Sequence, residues 1–305
     1  MNTAESNNLE YCPKTAIIGT TGLLGKAFYE HYQKIGADCV GTTHSKLLGN
    51  EQYFNLEAPN IAPLRLKKQG YSQALILAGI TKIAQCELER EKTWEINVKG
   101  TLELIRQLTE EDIVPIFFSS DYVFDGQQGY YTDDALVNPC TEYGKQKAEV
   151  EKSIIEISQG SCLVVRLSKV FTLDKGDNTL LDEMCRQLMT NKPIKAAYDQ
   201  IFSPILLFDV IKIVVELQTK GLLGIFNLCS AETWSRYDIA MTLAKSLNVN
   251  TTLIQRISLD ELRENFKRPK NTSMKSVRLQ RKLKTVFTPI TDCINKISLS
   301  YRITN

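Results

Sequence analysis

Histidine, charge of one sign and long apolar stretches are all scarce in this chain of 305 residues. With only His31 and His44 present, a histidine-rich metal site is not expected. The 37 Lys and Arg nearly balance the 35 Asp and Glu, leaving a formal net charge of +2. A balance this even gives no global pull toward nucleic acid or a membrane surface. No apolar run approaches the roughly 20 residues a membrane helix needs. The richest stretch, Ile201 to Leu217, is interrupted by Asp209 and Lys212. The eight cysteines, Cys12, Cys39, Cys86, Cys140, Cys162, Cys185, Cys229 and Cys293, are scattered without a C-x-x-C pair. Neither zinc spacing nor a disulfide framework is therefore expected. Residues 1–14 are polar, without the apolar centre of a signal peptide, and read as a disordered leader. A reduced, cytoplasmic, soluble protein is the expectation. Its composition, 43% hydrophobic and 24% charged, is ordinary for a globular chain that buries a core without staples.

Past the leader, strand and helix patterns alternate. Thr15 to Ile18 is a short apolar run stopped by Gly19, which reads as a buried strand. Leu23, Leu24, Ala27, Phe28 and Ile35 recur at helical spacing and end at Gly36, a suitable helix terminator. Strands are expected at Cys39 to Thr43, Ala74 to Ala78, Val114 to Phe118 and Cys162 to Leu167. A long helical pattern runs through Trp94, Ile96, Leu102, Leu104 and Ile105, and another spans Thr141 to Ile157. Such alternation implies right-handed βαβ units and a parallel sheet covered on both faces. After Val170 the pattern is less regular. Leu180 to Met189, Asp209 to Leu217 and Tyr237 to Leu247 read as helices, and Gly224 to Leu228 as a strand. The expected organisation is α/β: a doubly wound Rossmann-type domain over 15–169, then a smaller lobe over 170–305 with segments returning to the sheet.

Three motifs carry chemistry. Gly19-Thr-Thr-Gly22-Leu-Leu-Gly25 follows the first strand and opens a helix, where glycines and free N–H groups suit a pyrophosphate. The second strand ends Thr42-Thr43-His44-Ser45-Lys46 and lacks the carboxylate that holds a ribose 2′-OH. Its donors and cation favour NADP(H) over NAD(H). Tyr143-Gly-Lys-Gln-Lys147 places a phenol and an ammonium on one helical face, and Lys147 is expected to lower the Tyr143 pKa. Upstream, Ser119 and Ser120 follow the fourth strand, at the sheet end where open α/β folds hold ligands.

Together these segments resemble the extended short-chain dehydrogenase/reductases, and among them the dTDP-4-dehydrorhamnose reductase-like branch. The resemblance rests on GTTGLLG, on Asn97-Val-Lys-Gly-Thr101, on Ser119-Ser-Asp-Tyr-Val-Phe-Asp-Gly126, on the YGKQKAEVE helix and on Arg268-Pro269. It runs from about Thr15 to about Lys284. It implies Ser120, Tyr143 and Lys147 as catalytic residues. For the cofactor it implies Gly19, Thr21, Gly22, Leu23, Leu24 and Gly25, then Thr43, His44, Ser45, Ala78 and Gly79, with Tyr143 and Lys147 again. For the substrate it implies Thr81, Ser120, Asp121, Lys169 and Arg268. No metal is implied.

Three departures bear on the substrate. Leu77 stands where the branch usually has Asn, Lys169 where rhamnose-forming reductases carry an aromatic, and Phe171-Thr172 where they have Tyr-Gly. The activity implied is NADP(H)-dependent reduction of a nucleotide-activated 4-keto-6-deoxy sugar. The branch also holds non-catalytic NADP-binding subunits, such as the β subunit of methionine adenosyltransferase, and an epimerase or dehydratase is a further alternative. The expected partner is a nucleotide sugar, without nucleic acid or membrane; a homodimer is compatible with the sequence. Residues 256–284 hold ten basic side chains against three acids, which reads as a solvated face or as recognition of the substrate diphosphate. Cys140 reads as a bystander.

Overall fold

The computed structural model describes residues 12–45, 51–262 and 265–303. Seven parallel strands form the central sheet: β1 (Thr15–Ile18), β2 (Cys39–Thr43), β3 (Gln52–Tyr53), β4 (Gln73–Ile76), β5 (Val114–Ser120), β6 (Leu163–Leu167) and β7 (Gly224–Leu228). Their order is β7-β6-β5-β4-β1-β2-β3. The order reverses at β1, beside β4, and the crevice at such a switch point is where doubly wound sheets bind ligands.

Both sheet faces are covered, as side-chain alternation along β1 demonstrates. Ala16 and Ile18 pack with α2 (Thr101–Glu110) and α3 (Glu142–Ile157) through Leu104, Leu108, Val150 and Ile154. Ile17 faces the other way, onto Phe28 and Tyr32 of α1 (Leu23–Lys34). A third core cluster lies apart from the sheet. It joins α4 (Leu180–Met189), α6 (Arg236–Leu247) and α7 (Ile290–Ile303). The intervening α5 (Leu207–Thr219) returns to the sheet, and β7 pairs with β6 in register Gly224↔Leu163.

Several boundaries differ from expectation. β4 ends at Ile76 rather than Ala78, because the Leu77 and Ala78 nitrogens both turn to the Ile18 carbonyl, at 3.0 and 2.8 Å. β5 extends to Ser120, so both serines belong to the strand rather than to the loop after it. The long helical pattern from Trp94 to Ile105 is broken into the end of Arg90–Trp94, a π-helical stretch Glu95–Gly100 and α2, and a short helix Ile83–Leu88 precedes it. The edge strand β3 had no sequence pattern of its own.

The leader expectation falls largely on residues 1–11, and Lys46 falls with it, outside the described residues. Within the leader's last residues, Pro13 is buried and its carbonyl accepts the Thr15 hydroxyl at 2.7 Å. Among the described residues no helix is long and apolar enough to cross a membrane.

Candidate active site

One cavity of about 480 Å³ opens at the carboxyl ends of β1, β4, β5 and β6. Its floor on one side is the glycine loop. Gly19 has φ of +101°, and a Cβ on it would stand 2.7 Å from the Ala78 nitrogen; one on Gly25 would collide with the Gly19 carbonyl. The tight turn itself therefore requires both glycines. Gly22 differs, since a Cβ there would meet nothing within 4 Å. Gly22 starts α1 without any side-chain cap, and the first turn carries no acid. The first N–H groups and positive dipole end of α1 are thus answered neither by a cap side chain nor by an acid of its own first turn. Gly22, Leu23, Leu24 and Gly25 line the cavity with Ala78, Gly79 and Thr81. This uncapped cradle fits a dinucleotide pyrophosphate.

On the opposite wall stand Ser120, Asp121, Tyr143, Lys147, Lys169 and Arg268. Thr141 caps α3 by accepting the Gly144 nitrogen at 3.1 Å. Gly144 lets the helix start press against the Tyr122 carbonyl. That contact brings Tyr143 beside the end of β5, with its ring edge-on to Tyr122 at 6.2 Å. The Ser120 hydroxyl donates to Asp121 Oδ1 at 3.0 Å and accepts the Tyr122 N–H at 3.2 Å. Asp121 Oδ2 accepts the Thr272 hydroxyl at 2.7 Å. The Lys147 ammonium donates to the Phe118 carbonyl at 2.8 Å and lies 4.5 Å from the Phe117 ring centre.

Burial sets the electrostatics of this wall. It pushes the Asp121 carboxyl up to about 6, against the opposing pull of the Thr272 and Ser120 hydroxyls and of Lys169. It holds the Tyr143 phenol above its ordinary range, aided by the nearby Asp121 charge. Lys147 is pushed down to about 8 by the same desolvation. The expectation that Lys147 lowers the Tyr143 pKa is thus corrected. The ammonium donates one N–H to a carbonyl and lies 5.8 Å from the phenol ring centre, and desolvation is the largest influence on the phenol, raising it. A phenol raised in this way holds its proton at neutral pH.

Gly19, Thr21, Thr43, His44 and Ser45 do not line this cavity. Thr43 is buried at the end of β2, with its hydroxyl 2.9 Å from that of exposed Ser45 and also accepting the Ser45 N–H. His44 is exposed beside them. Arg268 lines the main cavity and a neighbouring recess of about 310 Å³, where its guanidinium lies 5.3 Å from the Phe266 ring centre. Two further members of the basic run are used otherwise: Lys270 bridges Asp199 and Asp260, and Arg278 pairs with Asp134. Among the described residues no three His, Cys, Asp or Glu side chains cluster as metal ligands. Cys140 is exposed and its thiol is raised by desolvation.

Sequence reading missed Arg236, Gln200 and Thr272, which also line the cavity. Arg236 opens α6, a position where a cation opposes the helix dipole, and that anomaly was a usable signal. It also missed the work of Asn97, buried in the π-helical stretch. Asn97 accepts the Ile80 N–H at 2.7 Å and donates to Ile80 O and to Gln146 Oε1, both at 2.8 Å. Gln146 in turn donates to Thr93 at 2.8 Å. The cofactor-side loop and the Tyr143 helix are thereby pinned to each other.

Known proteins are similar to this chain in sequence and fold. The chain is 25% identical over 278 residues to methionine adenosyltransferase 2 subunit beta of Xenopus tropicalis, covering 88% of this chain and 82% of that one. It is 26% identical over 215 residues to the dTDP-4-dehydrorhamnose reductase of Aggregatibacter actinomycetemcomitans, covering 67% and 72%. Its fold matches the crystal structure of dTDP-4-dehydrorhamnose reductase from Bacillus anthracis str. Ames in complex with NADP. The TM-score is 0.82 at 20% identity, over 94% of this chain and 99% of the other. The family described as the RmlD substrate binding domain matches residues 14–301, and the chain belongs to that family, within the extended short-chain dehydrogenase/reductases.

Proposed function

We propose that this protein reduces the ketone of a nucleotide-activated 4-keto-6-deoxy sugar with NADP(H) in preference to NAD(H). The observation that carries the reading is a single cavity faced by an uncapped glycine cradle on one wall and by Ser120, Tyr143 and Lys147 on the other. A bound nicotinamide supplies hydride. Tyr143, held protonated by burial, delivers its proton to the carbonyl oxygen. Ser120 orients that oxygen by hydrogen bonding. Lys147, fixed on the Phe118 carbonyl, presents its remaining N–H groups to the cofactor ribose. Lys169, Arg236 and Arg268 line the remaining part of the cavity and suit the diphosphate. The preference for NADP(H) rests on Thr43, His44 and Ser45, which offer hydroxyls and an imidazole but no carboxylate.

The experiment is a panel of nucleotide-linked keto sugars assayed by nicotinamide absorbance with NADPH and NADH. Steady consumption with one member, faster with NADPH, is expected. The relatives named methionine adenosyltransferase 2 subunit beta, matched over 88% of this chain, favour a second reading as a partner subunit. A stoichiometric complex with another enzyme and no turnover across the panel selects that reading.

A further inference from the structure

We propose that the Asp121 carboxyl group decides whether Ser120 can donate its one hydroxyl proton to the substrate ketone. The inference rests on the reductase reading and adds a control to it. A serine hydroxyl has one proton and two lone pairs. In this structure the proton is committed to Asp121 Oδ1 at 3.0 Å, and one lone pair is occupied by the Tyr122 N–H at 3.2 Å. A carboxylate only accepts, and the second oxygen of Asp121 is already accepting from Thr272 at 2.7 Å. While Asp121 is ionised, Ser120 therefore cannot donate to a ketone without abandoning a buried charge.

Protonating Oδ1 reverses the bond. The acid then donates to Ser120, whose oxygen also neighbours the Tyr143 phenol, and the serine proton turns to the cavity. The proton that ends on the product alcohol is that of Tyr143. Asp121 keeps its own proton throughout, so it acts through Ser120 as a positioning residue.

The neutral form is accessible because the group is buried, 5% exposed, without an ion pair among the described residues, and its carboxyl is pushed up to about 6. The charged and titratable groups that face it are Tyr143 from α3, Lys169 after β6 and Cys229 after β7. Lys169 favours the carboxylate, and Tyr143 and Cys229 would oppose it only if they themselves ionised. Both stay protonated in the relevant range, since burial raises each.

Asp121→Asn tests the idea, because an amide turned with its N–H₂ toward Ser120 and its oxygen toward Thr272 imitates the neutral acid. For the native chain, the reductive kcat/KM should fall about 10-fold per pH unit above about pH 6. Asp121→Asn should lack this limb and exceed the native chain about 30-fold at about pH 7.5. The same limb in Asp121→Asn, or lost activity at every pH with native circular dichroism, overturns the proposal. A readout independent of turnover is the infrared carboxyl stretch of the protein alone. A protonated-acid band present at about pH 5, lost by about pH 7.5 and missing in Asp121→Asn is expected; its absence at about pH 5 overturns the proposal. No ketone-dependent turnover by the native chain overturns the reductase reading and this inference together, whereas an unshifted limb overturns the inference alone.

Discussion

Two carboxylates lie buried within the same half of the sheet, and the chain treats them oppositely. Glu151, on the inward face of α3, receives a two-pronged guanidinium: Arg166 Nε lies 3.0 Å from both oxygens and Nη2 lies 2.7 Å from Oε2. The Arg166 fork is completed by the Asp133 carbonyl at 3.0 Å and by the Phe124 ring, 5.2 Å from its centre. Both partners are almost wholly buried, at 3% and 4% exposure. Asp121, one strand away, receives hydroxyls from Ser120, Thr272 and Ser168 and, among the described residues, no guanidinium. The same chain can neutralise a buried acid completely, and at the cavity it does not. The first arrangement fastens α3 to β6; the second leaves a group that can change state. Scaffold and site thus differ less in burial than in how fully their charges are answered.

The largest effect should come from the site. Tyr143→Phe deletes one hydroxyl and keeps the ring, so reductive turnover should fall about 10²–10⁴-fold, or about 3–5 kcal/mol of barrier. Cofactor affinity by calorimetry and the melting temperature should barely move. Equal turnover by the variant would remove the proton-donor role.

Glu151→Gln is the scaffold counterpart. It leaves the Arg166 charge buried and half-answered, which typically costs about 3–5 kcal/mol in denaturant unfolding. Below its transition the folded variant should keep native kcat/KM. A stability change under about 1 kcal/mol would erase the contrast between the two carboxylates.

The smallest effect sharpens the comparison from the other side. The Asp121 carboxyl is raised from 3.8 to about 6 in the folded chain, so the native state binds its proton more tightly than the unfolded state does. Stability contributed by this group is present below about pH 4 and is lost as pH rises through about 6. Asp121→Asn removes that loss. It should unfold at higher denaturant than the native chain at about pH 7.5, by up to about 3 kcal/mol, and at the same denaturant at about pH 4. A variant destabilised equally at both values would mean that Asp121 is structural, like Glu151.

Much of this was legible in the sequence because it is local. The turn at Gly19, the helix opening at Gly22 and the Tyr143–Lys147 spacing are set by neighbours within one turn, and so were the strands that carry them. Burial and distant pairing were not legible. Lys147 looked like a tuning cation because spacing puts it near Tyr143, whereas the Phe118 carbonyl that accepts its N–H lies 29 residues away. Asp121 showed no sign of its state, since the Thr272 hydroxyl comes from 151 residues downstream. The π-helical stretch that turns Asn97 toward Ile80 and Gln146 had an ordinary helical pattern. Arg236 was readable in principle from its place at a helix start and was passed over.

The central claim is that the two walls of one cavity meet across a transferred hydride, and isotope transfer tests it most directly. NADPH carrying deuterium at the nicotinamide C4 is mixed with the keto-sugar panel, and the sugar product is weighed by mass spectrometry. The account predicts deuterium at the reduced carbon of one nucleotide sugar, with oxidised cofactor released in equal amount and neither seen with Tyr143→Phe. Tight NADPH binding with no label in any sugar would contradict it.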